Sequence, residues 1–291
     1  MVDPLRLEGL RERFAAYARF LKIEHTLFSL PILLAGTLMA QGGLPSPRLT
    51  GLIVAAALGA RTLALALNRL IDLPLDARNP RTAQRELATG ALSVWDALLV
   101  AVAGLLVYLW CAMNINEFCL LWSWVPALLF VIYPTLKRFT WLCHFGLGIT
   151  WAMAPLAGWF AVRPGFSNSG PAWILAAFSF LWLSGFDIIY ATLDELFDRR
   201  EGLFSLPARF GKQRALTVSG FLHALAFVTI AALYFVSLRG SGAAFLCLTA
   251  GVLLFMEHIL ADHIDMAFFK INVLTGFVVL TMVFVGIKPE F

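Results

Sequence analysis

Long apolar segments recur along the whole chain, separated by short polar connections. A helix needs about 20 apolar residues to cross a bilayer. Runs of that length fall near 23–41, 50–71, 93–113, 117–136, 140–162, 171–190, 214–238, 242–262 and 268–287. Of the 291 residues, 60% are hydrophobic and 14% are charged, whereas a soluble domain carries about 25% charged residues. We therefore expect an all-α membrane protein, a single integral-membrane domain over 1–291, with nine transmembrane helices around a central apolar cavity.

The distribution of Lys and Arg predicts how the chain is oriented. With the N-terminus in the cytoplasm, most basic residues lie on cytoplasmic connections, and the exceptions outside are Arg48, Arg163, Arg239 and Lys288. Basic residues favour the cytoplasmic side of a membrane. This predicts a multi-pass protein of a bacterial-type inner (cytoplasmic) membrane, with a polar cap on the cytoplasmic side. The pI near 9.0 then indicates contact with the lipid bilayer and its headgroups, and no nucleic-acid partner is expected.

Residues 1–22 lack the compact apolar core of a signal peptide. They are expected to form an amphipathic lead-in at the membrane interface, where arginines such as Arg13 and Arg19 would meet lipid phosphates. The four cysteines show no CxxC or Cys/His ligand spacing, which predicts packing residues rather than a disulfide framework.

Two polar connections, 72–92 and 191–213, contain the same motif, a pair of aspartates four residues apart. In "NRLIDLPLDARNPRT", residues 68–82, Asn68, Asp72 and Asp76 share one face if the second span continues through them. Pro74 is expected to kink or unwind that stretch. In "DIIYATLDELFDRREGLFSLPARFG", residues 187–211, Asp194 and Asp198 repeat the spacing.

Carboxylates crowded at one membrane face are unfavourable unless a cation neutralises them. Magnesium characteristically binds one or two carboxylates, several waters and substrate phosphates. Arg81 and Arg85 follow the first pair and offer bidentate contacts to phosphate. The combination predicts a site for Mg²⁺ and a diphosphate above an apolar cavity. The alternative interpretation of either pair alone is a set of solvated charges that cap helix ends.

The full pattern resembles the UbiA superfamily of intramembrane aromatic prenyltransferases. The resemblance rests on Asn-x-x-x-Asp-x-x-x-Asp followed by Arg-Thr, on the later Tyr-Ala-x-x-Asp-x-x-x-Asp, and on "YPTLKR" at 133–138. The stretches "EHTLFSLP" at 24–31, "NPRT" and "AFFKIN" at 267–272 resemble the 4-hydroxybenzoate polyprenyltransferase-like branch, part of which is thought to serve menaquinone synthesis. The chain departs from the pattern at Arg69, where many members have Asp, and this weakens Asn68 as a metal ligand.

The resemblance implies roles for particular residues. Asn68, Asp72 and Asp76 would hold one Mg²⁺, and Asp194 and Asp198 another. Catalysis would involve these aspartates together with Tyr133 and Tyr190, which would face the reacting centre. Lys137 and Arg81 would bind the diphosphate, and Asn68, Arg85 and Lys22 would be further substrate-binding residues. The implied reaction transfers a polyprenyl group from a polyprenyl diphosphate to 4-hydroxybenzoate or a dihydroxynaphthoate, in ubiquinone or menaquinone synthesis.

Several alternatives remain open at this stage. The acceptor could instead be haem, chlorophyllide or a glycerol phosphate. A cation-coupled transporter also places carboxylates in membranes, but typically near the midplane of a span. Arg85 would meet either the carboxylate of the acceptor or a lipid headgroup. Glu24 and His25 are candidates to border the acceptor pocket, and "EHILADHID" at 257–265 is either a weak metal-site candidate or a hydrated helix end. The sequence leaves the prenyl length and the oligomeric state open.

Overall fold

The computed structural model describes residues 4–22, 26–261 and 270–287, with the side chains of 12–22, 29–261 and 270–287. All regular structure in these ranges is helical. The helices are α1 (Pro4–Leu21), α2 (Thr26–Gln41), α3 (Pro47–Asp76), α4 (Val94–Ile115), α5 (Glu117–Trp122), α6 (Trp124–Leu136), α7 (Cys143–Val162), α8 (Gly170–Ala191), α9 (Glu195–Glu201), α10 (Leu206–Phe210), α11 (Lys212–Ser237), α12 (Ser241–Ile259) and α13 (Asn272–Gly286), with a 3₁₀ turn at Thr192–Asp194.

Seven helical segments within the described ranges are long and apolar enough to cross a membrane. Two shorter apolar helices, Ser29–Gln41 and Asn272–Gly286, stand where the first and last spans are predicted. The predicted span 117–136 is divided at Ser123 into α5 and α6. The class of multi-pass α-helical membrane protein is thereby confirmed, and the count of nine spans stays a prediction.

Helix α3 carries the first aspartate pair on one uninterrupted face. Its start is capped by Ser46, whose side chain accepts a hydrogen bond from the backbone N–H of Leu49, with Pro47 at the first helical position. The helix then runs for 30 residues through Pro74 and ends at Asp76. Pro74 therefore does not unwind this stretch, and the alternative expectation of a kink stays a prediction. The polar connection begins at residue 77 rather than at 72.

Helices α3 and α4 approach closely because two glycines face each other. A Cβ placed on Gly59 would lie 2.8 Å from the carbonyl oxygen of Gly104, and one placed on Gly104 would lie 2.8 Å from that of Gly59. Small residues of this kind allow helix backbones to pack closely in a membrane, where burial from water does not drive association. The contact fixes α3 beside α4 and so sets the position of the aspartates at its end.

Helix α1 packs on the protein. Phe20 is fully buried in a cluster that includes residues of α3, α4 and the connection 77–92. Arg13 Nη2 lies 3.2 Å from Asp96 Oδ1, and Arg19 Nε lies 3.6 Å from Glu86 Oε1. The structure thus pairs these two arginines of the lead-in with carboxylates of the chain, where lipid phosphates were expected.

Three connections gather at one end of the helices, where α3, α6 and α8 end and α7 and α11 begin. Arg78 Nη1 in the first connection lies 2.6 Å from Glu201 Oε2 in α9. The backbone N–H of Phe204 donates to the carbonyl of Lys137 at 2.7 Å. The two predicted polar connections therefore meet each other and the end of α6.

Candidate active site

Asp72 is held by two basic residues that directly follow α6. Lys137 Nζ lies 2.6 Å from Asp72 Oδ2, and Arg138 Nη2 lies 3.3 Å from Asp72 Oδ1. Arg138 Nη2 also donates to the carbonyl of Ile71 at 2.7 Å. The Asp72 side chain is only 6% exposed, and the two cations together compensate for the burial of its charge. The structure therefore brings predicted residues Asp72 and Lys137 into direct contact.

Asp76 has a different basic partner. Arg85 Nη1 donates to both carboxylate oxygens of Asp76, at 2.8 and 2.7 Å. Arg85 was assigned to the acceptor carboxylate or to a lipid headgroup, and its contact in the structure is this aspartate. The assignment to the acceptor stays a prediction.

Asp194 is bound by residues of the first connection. Arg81 donates from Nε to Asp194 Oδ1 at 2.9 Å and from Nη2 to Asp194 Oδ2. Asn79 Nδ2 donates to the same Oδ1 at 2.9 Å. Arg81 also donates from Nη1 to the Tyr190 hydroxyl at 2.7 Å. Burial opposes the charge of Arg81, but its bonds to Asp194 outweigh that, so the pKa of Arg81 is raised above its ordinary value.

Asp198 and Asp187 face the start of α10. Asp198 Oδ2 accepts from the Ser205 hydroxyl at 2.8 Å. His144 Nδ1 lies 2.6 Å from Asp187 Oδ2, and His144 Nε2 accepts from the backbone N–H of Leu206 at 3.2 Å. Because Nε2 accepts, Nδ1 carries the proton and donates to Asp187. Sequence reasoning assigned no role to His144, since its partners lie in two distant segments.

Tyr133 and Asn68 lie between this polar end and the apolar interior. The Tyr133 hydroxyl interacts electrostatically with Asn68, Asp72 and Arg61, and both Tyr133 and Arg61 line the adjacent cavity. Lys22 follows α1 with a positive φ of 41°. Its role as a substrate-binding residue stays a prediction.

Two apolar cavities lead away from the aspartates. The first, about 300 Å³, is lined by Tyr133, Arg61 and mainly apolar side chains of α2, α3, α6 and α7. The second, about 260 Å³, extends to α4 and α5 and contacts Trp122, Phe160 and Phe166. The cavities share four lining residues, Leu33, Pro126, Met153 and Ala157. Together they form an apolar path that starts beside Tyr133 and ends at an aromatic cluster.

Three polar residues of the site were not assigned from the sequence. Asn79 and Arg138 bind Asp194 and Asp72, and both adjoin residues that were assigned, at "NPRT" and "TLKR". Arg61 lies inside the predicted span 50–71 and was given no role. Its position in an apolar segment was the usable signal, because a cation there typically marks a functional site.

The donor set fits Mg²⁺ bound together with a phosphate ligand. Among the described residues, no group of three or more His, Cys, Asp or Glu side chains forms a metal cage. The carboxylates of Asp72, Asp76 and Asp194 instead lie beside Lys or Arg. Magnesium is usually held by one or two carboxylates, waters and substrate phosphates, a mode that needs no such cage.

The polar cluster predicted near 257–265 is seen only in part. His258 Nε2 lies 3.0 Å from His223 Nδ1, and Glu257 Oε2 lies 3.5 Å from the same atom. Asp262, His263 and Asp265 lie outside the described residues, as do Glu24 and His25.

Known proteins resemble this chain in sequence and in fold. The model of the UbiA prenyltransferase family matches residues 29–268. A 4-hydroxybenzoate octaprenyltransferase of Nitrosomonas eutropha is 34% identical over 206 residues, 69% of this chain and 71% of the relative. The structure of a UbiA homolog from Aeropyrum pernix K1 superposes with a TM-score of 0.80 at 30% identity, covering 90% of this chain and 98% of the other.

A UbiA homolog from Archaeoglobus fulgidus, bound to GPP and Mg²⁺, shares the fold with a TM-score of 0.70 at 20% identity, covering 92% of this chain and 96% of that one. The family match confirms the prediction of an enzyme over that of a transporter. The chain belongs to the UbiA prenyltransferase family.

Proposed function

We propose that this protein transfers a polyprenyl group from a polyprenyl diphosphate to 4-hydroxybenzoate, with release of diphosphate. The observation that carries the proposal is that the Asp72–Lys137 pair lies one helical turn beyond Tyr133, which lines the first cavity at the start of the apolar path. A polyprenyl diphosphate has a charged head that suits this polar end and a long apolar tail that suits the apolar path. The names of sequence relatives support 4-hydroxybenzoate as the acceptor.

Lys137 and Arg81 bind the diphosphate in this proposal, and Tyr133 and Tyr190 face the reacting carbon. Asp72, Asp76, Asp194 and Asp198 hold Mg²⁺, with Asn68 as a weaker candidate ligand. When bound, the metal would neutralise the diphosphate and stabilise the charge that develops on it as it leaves. Lys137 and Arg81 favour bond breaking for the same electrostatic reason. The aromatic face of Tyr133 would stabilise the allylic cation that remains.

Arg61 is our candidate for the carboxylate of the acceptor. It is seven residues before Asn68 on α3, which places it on the same face about 11 Å further into the cavity. Arg61 lines the cavity together with Tyr133, and Arg85 lies at the polar end, bound to Asp76. Arg61→Gln should therefore raise the KM for 4-hydroxybenzoate more than Arg85→Gln does. The reverse order would assign the carboxylate to Arg85.

The prenyl tail would follow the apolar path from the first cavity into the second. Both cavities are lined mainly by apolar side chains, which suit an isoprenoid chain. Trp122 and Phe166 close the far end, with ring centroids 5.4 Å apart. The identity of these aromatic residues would then limit how long a tail is accommodated.

The proposal includes one domain over 1–291 with nine spans and a cytoplasmic active site. Two exposed residues at opposite ends of the helices test the orientation, Gln84 in the first connection and Ser167 between α7 and α8. In a cysteine-free background, a cysteine at 167 should react with an impermeant thiol reagent added to intact cells, and one at 84 should not. Labelling at 84 alone would reverse the orientation.

The central experiment uses the purified protein in lipid vesicles with Mg²⁺ and a polyprenyl diphosphate. Adding 4-hydroxybenzoate should release diphosphate and give a prenylated product of the expected mass. A dihydroxynaphthoate, haem, chlorophyllide and a glycerol phosphate are offered in parallel. Asp72→Asn serves as the inactive control. Product from one of the other acceptors and none from 4-hydroxybenzoate would show that the proposed acceptor is wrong.

A further inference from the structure

A buried cation stands next to the first aspartate motif. Arg69 directly follows Asn68 on α3. Its side chain is 4% exposed, its guanidinium lies 5.9 Å from the centre of the Phe20 ring, and its Nη1 is 3.8 Å from Glu86 Oε2. A buried guanidinium is costly unless an anion accompanies it, and Glu86 is that anion.

Glu86 is also fixed from its other side. Arg19 of α1 approaches Glu86 Oε1 at 3.6 Å. The Glu86 side chain is 12% exposed, so its charge also depends on these partners. Phe20, next to Arg19, packs in one apolar cluster with Leu87, next to Glu86. The carboxylate of Glu86 is therefore placed by two cations and by the apolar contact beneath it.

Consecutive residues of the first connection bind one face of α3 with opposite charges. Arg85 binds Asp76, and Glu86 pairs with Arg69. Positions 69 and 76 are seven residues apart, about two helical turns, and so lie on the same side of α3. The two ion pairs attach the connection to the helix in one register. A shifted connection would place Arg85 against Arg69 or Glu86 against Asp76, and like charges repel.

We infer that Arg69 and Glu86 are a positioning pair, which keeps Arg85 on Asp76 and thereby fixes the first connection over the active site. This inference rests on the proposed function only for its effect on catalysis. The pair touches neither the proposed substrates nor the aspartates directly, and it acts through Arg85. An acid at position 69 would repel Glu86, so this connection requires a basic residue there.

The pairing itself is tested without any assay of activity. Thermal unfolding midpoints are measured for Arg69→Glu, for Glu86→Arg and for the variant with both changes. Each single change sets like charges together in a buried place and should lower the midpoint, and the exchanged pair should recover most of the loss. Additive losses in the double variant would show that the two side chains are not coupled. Arg69→Gln/Glu86→Gln, which removes both charges, provides a folded comparison if a single variant cannot be purified.

The positioning role is tested by a double-mutant cycle on kcat for prenyl transfer. Glu86→Gln should lower kcat about tenfold in the natural background, and should have almost no further effect in an Arg85→Ala background. Arg13→Gln, which alters an exposed ion pair of the same helix that involves Asp96 and not Glu86, is the matched control and should change kcat less than about twofold. Equal losses from Glu86→Gln in both backgrounds would overturn the positioning role. Absence of turnover in the unchanged protein would count against the proposed function and would leave the unfolding result as the test of the pair.

Discussion

Lys137 Nζ lies 2.6 Å from Asp72 Oδ2, although the two residues are 65 positions apart in the chain. The contact joins the end of α6 to the last turns of α3. It places an ammonium group beside a proposed metal-holding carboxylate, one helical turn beyond Tyr133. The ammonium balances the charge of Asp72, and in the proposed function it would also donate to the diphosphate.

Replacing Lys137 with Met should lower kcat about 100-fold while changing the KM for the polyprenyl diphosphate much less. The ammonium stabilises charge that grows as the C–O bond breaks, so its loss affects the transition state more than the bound substrate. Steady-state kinetics measure the division between kcat and KM. Lys212→Met, at an exposed residue that begins α11, is the control and should behave as the unchanged protein. A rise in KM alone would remove Lys137 from the leaving-group role.

Asp194→Asn should abolish most of the activity, with a loss of at least about 100-fold. The change leaves Arg81 and Asn79 without the carboxylate that both bind, and it removes a proposed metal ligand. Glu201→Gln is the matched control, because Glu201 lies in the same region and is also bound to an arginine, Arg78. The Arg78–Glu201 pair is more exposed than the Arg81–Asp194 pair, so its loss should change the activity little. Similar losses in the two variants would indicate a general effect of charge in this connection.

Removal of divalent metal should stop turnover, and added Mg²⁺ should restore it. The four aspartates offer oxygen ligands, and Mg²⁺ would join them to the diphosphate. Diphosphate release is measured in excess chelator and then across a series of Mg²⁺ concentrations. Asp76→Asn should require more Mg²⁺ for half-maximal rate. Undiminished turnover in chelator would show that the carboxylates have another role.

Trp122→Ala should shift preference towards longer polyprenyl diphosphates. Trp122 lines the far end of the second cavity, packed against Phe118 and Phe166, and its loss would open space for further isoprene units. Product masses from a mixture of chain lengths give the measurement. Trp124→Ala changes a neighbouring tryptophan that is 58% exposed on the outer surface of the helices, and should leave the distribution unchanged. The same shift in both variants would place the limit elsewhere.

Gly59→Ala should lower the thermal stability of the protein, by about 1–3 kcal/mol in free energy of unfolding. The added Cβ would lie 2.8 Å from backbone atoms of Gly104 and Tyr108, and two helix backbones cannot yield as a flexible side chain does. Gly51→Ala is the control on the same helix, where a Cβ meets no atom of another residue within 4 Å. Thermal unfolding in detergent or vesicles compares them. Equal midpoints would mean that α3 and α4 can separate at little cost.

The sequence by itself determined the features that depend on local chemistry. Apolar segments long enough to span a membrane require helices, because lipid offers the backbone no other hydrogen-bond partners. The four-residue spacing of Asp72 and Asp76 places both on one face of α3, and the structure keeps them there in spite of Pro74. Acidic pairs followed by arginines predict a site for a metal and a diphosphate, and the resemblance of the motifs identified the family before any contact was known.

Only the tertiary structure decided which charge meets which. Arg81 and Arg85 look equivalent in the sequence, yet Arg81 binds Asp194, 113 residues away, and Arg85 binds Asp76. Arg61 becomes a candidate for the site only because α3 packs against helices that leave a cavity at that level. Such pairings depend on the close approach of separate helices, as at Gly59 and Gly104, and on the loss of water around each charge. Neither is encoded in the periodicity of a single segment.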